Sequence, residues 1–152
     1  MPSKIILIAA ITADGYIAKD DKDDMAWSLD KALFKKQTSG YPIIMGSNTS
    51  RLLKAPLPDR ENIIVHREDK PENIIKKIKT ETCFVVGGGK TYTRFAPFCT
   101  HFYLSPHPLV FGRGISLFKN LEKSINLKLI KSIFANKEKP IHALLLFVPI
   151  FI

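Results

Sequence analysis

The chain has 152 residues, one domain's worth, enough to bury about two thirds of the surface its unfolded form exposes. Hydrophobic residues make up 45% and charged residues 24%, which excludes wholesale disorder. Twenty-three Lys and Arg against fourteen Asp and Glu leave a charge of +9, which favours nucleic acid, an anionic membrane or a phosphorylated small molecule without choosing among them.

The first apolar run, Ile5 to Ile11, follows Lys4 and is as short as a secretory h-region can be. Asp14 comes soon after it, so the run is read as a buried strand. Pro42 to Met45, Ile63 to Val65 and Phe84 to Val86 repeat the pattern, apolar and β-branched without polar alternation, as expected of strands covered on both faces. Between them, Ser28 in the N-cap position precedes Leu29, Ala32, Leu33 and Lys36 at helical spacing, and Ser39-Gly40 stops that helix. A second helix is expected over Thr49 to Leu53. A third starts at Pro71 and Glu72 and ends among Lys76, Lys77 and Lys79, charges the helix dipole prefers. A fourth follows Gly87-Gly88-Gly89 and stops near Pro97. Strands alternating with helices predict βαβ units and a mainly parallel sheet.

The last third differs. His101 to Ser105 reads as a strand with no helix after it. Leu127 to Phe134 and Ile141 to Val148 are strand-like, joined by the polar turn Ala135 to Pro140, and predict an antiparallel hairpin closing the sheet, with Pro149 at an edge or strand end. No repeat or linker divides the chain, so residues 1–152 are expected to form a single three-layer α/β domain. The tail is too short to span a bilayer, which takes about twenty apolar residues as a helix. It suits either an internal strand or a dimer contact, leaving monomer and homodimer both open. Cys83 and Cys99 form no CxxC and have no His at metal spacing, so two reduced thiols in a soluble, cytoplasmic protein and no metal are expected.

Three stretches hold the chemistry. In Phe84-Val85-Val86-Gly87-Gly88-Gly89-Lys90-Thr91-Tyr92, three glycines stand between a buried strand and a helix. Backbone without Cβ atoms can approach a ligand, and a helix N-terminus offers N–H groups to a phosphate; a tight turn without a ligand is the other reading. The spacing is neither a P-loop nor GxGxxG. Ile43-Ile44-Met45-Gly46-Ser47-Asn48-Thr49 is a second strand-to-helix junction, and two of them at one sheet edge suit a dinucleotide. Lys19 to Asp24 are all charged, a solvated loop, yet Met25 and Trp27 at its end suggest a lid over an apolar pocket. Asp30 either complements the helix dipole or is the carboxylate facing that pocket.

These residues resemble the dihydrofolate reductase family, and more broadly the superfamily holding the reductase domain of riboflavin biosynthesis. The resemblance runs from about Lys4 to Phe118. It is carried by Ile8-Ala9-Ala10 with Asp14-Gly15, Met25-x-Trp27, Asp30 with Phe34, Ile44-Met45-Gly46-x-x-Thr49, Pro56-Leu57-Pro58-x-Arg60-x-Asn62-Ile63-Ile64 and Val86-Gly87-Gly88-Gly89-x-x-Tyr92. It implies NADPH as cofactor and a small pterin-like substrate. Asp30, Tyr92 and Trp27 would form the reacting end, with Asp30 hydrogen-bonding the pterin ring. Ile8, Met25, Phe34 and Leu53 would wall the substrate, Arg60 would hold its carboxylate tail, and Ser105 stands where a Thr usually completes the pterin contacts. Gly46, Ser47, Asn48 and Thr49, with Val86, Gly87, Gly88, Gly89, Lys90 and Thr91, would cradle the cofactor. Ala10, Ile17 and Tyr92 would lie near the nicotinamide, and His66 and Arg67 near the 2′-phosphate.

The chain departs from the pattern in three places. Ser47 stands where the family usually has Arg, which weakens the expectation of NADPH over NADH. Two residues are missing between Trp27 and Asp30. The segment Pro106 to Phe118 resembles the riboflavin-type members, whereas their long substrate loop is absent. Dihydrofolate is therefore the first substrate expected and a ribosylamino-pyrimidine phosphate the second. A non-catalytic nucleotide- or nucleic-acid-binding protein fits less well, because the basic residues are dispersed, no RNA-binding aromatic motif occurs, and Asp30 would have no role.

Overall fold

The computed structural model describes residues 1–134 and 143–151. The expected polar turn Ala135 to Pro140, with Ile141 and His142, lies outside the described residues.

The fold is organised around β1 (Lys4–Thr12). Its side chains alternate between two apolar layers rather than between core and water. Ile5, Leu7 and Ala9 pack on one face with Ile75, Tyr92 and Phe95, while Ile6 and Ile8 pack on the other with Met45, Phe84 and Phe34. This two-sided cover is the reason the strand carries no polar alternation. Ile75 belongs to α3 (Pro71–Lys77), Tyr92 and Phe95 to α4 (Gly89–Phe95), and Phe34 to α1 (Lys31–Thr38), so helices clad both faces of the sheet.

The remaining main-sheet strands are β3 (Ile43–Gly46), β4 (Asn62–Val65), β5 (Thr82–Gly87), β6 (His101–His107), β8 (Asn126–Phe134) and β9 (Ala143–Ile150). They lie in the order β4-β3-β5-β1-β6-β9-β8. Pairing is parallel from β4 through β6 and antiparallel from β6 through β9 to β8. The architecture is thus α/β, a mainly parallel sheet flanked by helices with an antiparallel pair at its C-terminal side. β9 sits between β6 and β8, so the apolar tail is an internal strand. Pro149 pairs with Leu127 beyond the stretch where β6 pairs with β9, at the strand end, where a missing N–H costs no ladder bond on the β6 side. No helix among the described residues is long and apolar enough to cross a membrane.

Two expectations change. α1 starts after Asp30, not after Ser28: the Asp30 carbonyl accepts the Phe34 N–H at 2.9 Å, and the Ser28 hydroxyl is turned onto the Asp30 carboxylate instead of a helix N–H. The inward face is accordingly Phe34 and Thr38, one turn apart, while Leu29 is 53% exposed. A small second sheet, β2 (Tyr16–Ala18) with β7 (Ile115–Ser116), had no sequence signal, since segments of two and three residues carry no measurable period. Between β3 and β4 lies α2 (Ser47–Leu53), which begins two residues earlier than the spacing predicts because Gly46 serves as its N-cap in extended conformation.

Candidate active site

A cleft of about 1080 Å³ opens along the carboxyl ends of β1, β3 and β5. This is where ligands gather in open α/β sheets, and the chain places it where β1 is flanked by strands reached in opposite directions. Its volume stands at the upper end for a single drug-sized ligand, leaving room for two ligands side by side.

One half is built from β1, α1 and the turn after α2. Ile8, Phe34, Leu53 and Leu57 supply apolar walls, Met25 approaches from the loop before α1, and Asp30 and Arg60 add the charge. Asp30 is 9% exposed and occupies the N-cap of α1 without capping it by its side chain. Its carboxylate is held by the Ser28 hydroxyl at 2.8 Å. Arg60 is braced at two points: Nη1 donates to the buried Thr38 hydroxyl at 2.9 Å, and Nε donates to the Pro58 carbonyl at 2.8 Å. Thr38 in turn donates to the Phe34 carbonyl. The guanidinium is therefore positioned by the same helix that carries Asp30.

The other half is built from two strand-to-helix turns. Gly46, Ser47, Asn48 and Thr49 come from β3 and α2, and Val86, Gly87, Gly88, Gly89, Lys90 and Thr91 from β5 and α4. Their close approach requires glycine. A Cβ on Gly46 would stand 2.7 Å from the Thr91 hydroxyl, and Gly87 has φ +139. The Gly87–Gly88 peptide is cis. Both helix N-termini thus point their N–H groups into one cradle, with Lys90, Arg67 and His66 along the rim. Such a donor set fits the phosphates of a dinucleotide. Arg94, also in the lining, donates to the carbonyls of His66 and Asp69 and so ties α4 to the turn after β4.

Ala10 and Ile17 line the cleft between the halves, and Tyr92 is buried there with its hydroxyl donating to the Ile8 carbonyl at 2.7 Å. Burial first, and then the Asp30 carboxylate, raise the Tyr92 phenol well above its ordinary pKa, so it remains a hydrogen-bond donor. That bond fixes the backbone of β1 where the two halves meet.

Two expected site residues are absent from the cleft lining. Trp27 turns away from the cleft. Its ring packs edge-on against His107 and Phe111 at 5.2 and 5.4 Å, and its Nε1 donates to Asp23 at 3.2 Å. Ser105 pairs with Ala10 in the sheet and is completely buried, its Oγ without a hydrogen-bond partner among the described residues. Other residues were not foreseen: Thr38 behind Arg60, Asp23 beneath Trp27, and His107. None carries a motif, and each becomes visible only through its partner's position.

The dihydrofolate reductase family model matches residues 4–107. A dihydrofolate reductase of Bacillus subtilis (strain 168) is 34% identical over 149 residues, covering 89% of this chain and 86% of that protein. One from Buchnera aphidicola subsp. Schizaphis graminum is 33% identical over 153 residues, covering 90% and 93%. In fold, the chain is similar to the dihydrofolate reductase from Enterococcus faecalis complexed with NADP(H) and RAB-propyl, with a TM-score of 0.77, 19% identity and coverage of 97% and 96%. It is also similar to a putative riboflavin biosynthesis protein from Shewanella sp. PV-4, with a TM-score of 0.67, 16% identity and coverage of 97% and 99%. Matched over most of its length by sequence and by fold, the chain belongs to the dihydrofolate reductase family.

Proposed function

We propose that this protein reduces 7,8-dihydrofolate to tetrahydrofolate with NADPH as hydride donor. The observation that carries the reading is Asp30, a nearly buried carboxylate in the wall of an apolar cleft, not used to cap its own helix. Such a group orients a 2-amino-4-oxo ring through paired charge-assisted hydrogen bonds and favours protonation of the ring before reduction. Ile8, Phe34 and Leu53 exclude water from the ring, and Arg60, braced by Thr38, grips the carboxylate tail. Lys90, Arg67 and the two helix N-termini hold the phosphates, with His66 beside them. When bound, the cofactor supplies the hydride. Tyr92 keeps the β1 backbone fixed at the point where donor and acceptor carbons must nearly touch. The substrate is a small molecule in this reading, and neither nucleic acid nor membrane takes part. Two buried free thiols suit a reducing cytoplasm; burial pushes Cys83 up to about 12.

Loss of NADPH absorbance on addition of dihydrofolate tests the proposal. Turnover with dihydrofolate and none with a ribosylamino-pyrimidine phosphate is the expected result. The reverse pattern would move the substrate to the riboflavin-type class.

A further inference from the structure

We propose that His107 is a positioning residue for Asp30, holding the short Trp27–Leu29 segment against the end of β6. The proposal rests on the assigned role of Asp30, but the contact itself is a property of the chain without ligands.

His107 closes β6, lies opposite Thr12 of β1, and is 2% exposed. Its Nε2 is 2.9 Å from the Leu29 nitrogen, and its Nδ1 is 2.8 Å from the Ser105 carbonyl oxygen. The roles follow from the partners. A peptide N–H only donates, so Nε2 accepts; a carbonyl only accepts, so Nδ1 carries the proton. The imidazole thus bridges the backbone of β6 to the residue immediately before Asp30, in one tautomer that satisfies both ring nitrogens.

The same ring meets Trp27 edge-on, with centroids 5.2 Å apart and planes at 86°. The segment is therefore clipped at both ends, at the Trp27 ring and at the Leu29 N–H. On the far side Asp30 is fixed by its carbonyl, which opens α1. Between these anchors its carboxylate has little freedom left, and the Ser28 hydroxyl takes one oxygen.

The course of the backbone explains why a side chain is needed here. Leu29 projects outward, 53% exposed, while its N–H turns toward the sheet. A backbone donor facing the interior needs an acceptor. The turn that precedes it pairs the Ser28 N–H with the Met25 carbonyl at 3.0 Å, and for the Leu29 N–H the acceptor comes from β6, through His107. An apolar residue at 107 would fill the space but leave the Leu29 N–H unpaired.

His107→Gln and His107→Asn separate the tether from mere filling. Gln carries its amide oxygen to about where Nε2 lies, whereas Asn reaches only the Nδ1 position. Trp27 is the single tryptophan, so its emission reports this segment. In the ligand-free protein, H107N should lose hydrogen-exchange protection at the Leu29 amide and H107Q should retain it, while Trp27 emission should shift in both, since both remove the ring that meets it edge-on, and further in H107N. In turnover, kcat/KM for dihydrofolate should fall roughly tenfold in H107N, with KM for NADPH within about twofold, and H107Q should recover most of the loss. Equal Leu29 protection in both variants overturns the tether. A parallel rise in KM for NADPH, or no recovery in H107Q, reduces His107 to a packing role. Absence of dihydrofolate turnover in the unsubstituted protein sinks the proposed function instead, while hydrogen exchange at Leu29 still decides the tether.

Discussion

Thr38→Val isolates what the brace behind Arg60 contributes. Thr38 is fully buried, and Val matches its shape, so little packing changes. The substitution removes the acceptor that Arg60 Nη1 reaches at 2.9 Å and the donor to the Phe34 carbonyl. The second loss is minor, because a hydroxyl bonded back onto its own helix adds little to stability. The first is a bond from a charged donor, of the class that contributes about 1.5–3 kcal/mol when both groups are sequestered. Arg60 is only half-buried, so water replaces part of it, and about 1 kcal/mol is the reasonable share. Arg60 also keeps its Nε bond to Pro58, so the guanidinium loosens without leaving.

At about 1.4 kcal/mol per factor of ten, KM for dihydrofolate should rise roughly fivefold in T38V. Since Asp30 and the ring pocket are untouched, kcat should stay within about twofold. Steady-state kinetics on dihydrofolate and on a dihydropterin without the glutamate tail provide the control. The tailless substrate should show no change. An equal loss on both substrates would mean that Thr38 acts through α1 as a whole and that Arg60 does not hold the tail.

Asp30→Asn should fold normally by circular dichroism and lose roughly a hundredfold in turnover near neutral pH, the scale of one lost acid–base function; an unchanged rate removes Asp30 from the chemistry. Arg67→Ala should narrow the preference for NADPH over NADH about tenfold, through loss of one charge-assisted phosphate contact. If the KM ratio stays put, Lys90 carries the selectivity. Asp14→Asn tests the acid response: the Thr12 hydroxyl foremost, with burial opposing it, and the Gly112 and Phe111 N–H groups lower the Asp14 pKa from 3.8. A folded-state pKa below the unfolded one stabilises above 3.8 and loses that contribution as pH falls through the folded value. The melting-temperature gap between parent and D14N should therefore hold steady from neutral pH down to the region of 3.8 and shrink below it, and a gap that widens in acid contradicts the assignment.

The parts of the fold and site that were legible share one physical property: their reason lies within a few residues. β1, β3 and β5 announce themselves because two-sided cover requires continuous apolar runs, and the two cradle turns because close backbone approach requires Gly46 and Gly87. What stayed hidden depends on partners far along the chain. Ser28 has the right chemistry for an N-cap, yet Asp30 takes that place, since the chain must meet β6 through the Leu29 N–H before it can turn. A lone aromatic after a polar loop looks like a lid, but the position of Trp27 is decided by His107, 80 residues later, and by Phe111. The charge behaves in the same way. Of the cations in the sequence, Lys90, Arg67, Arg51, Arg60 and Arg94 are among those that line the cleft, and Arg94 there also ties α4 to the carbonyls of His66 and Asp69. Composition counts every cation alike, and only the fold tells which of them reach the cleft. A basic chain in this family is thus no measure of how many phosphates it holds, and selectivity at the cofactor's far end rests on the few cations that the fold brings to the cleft.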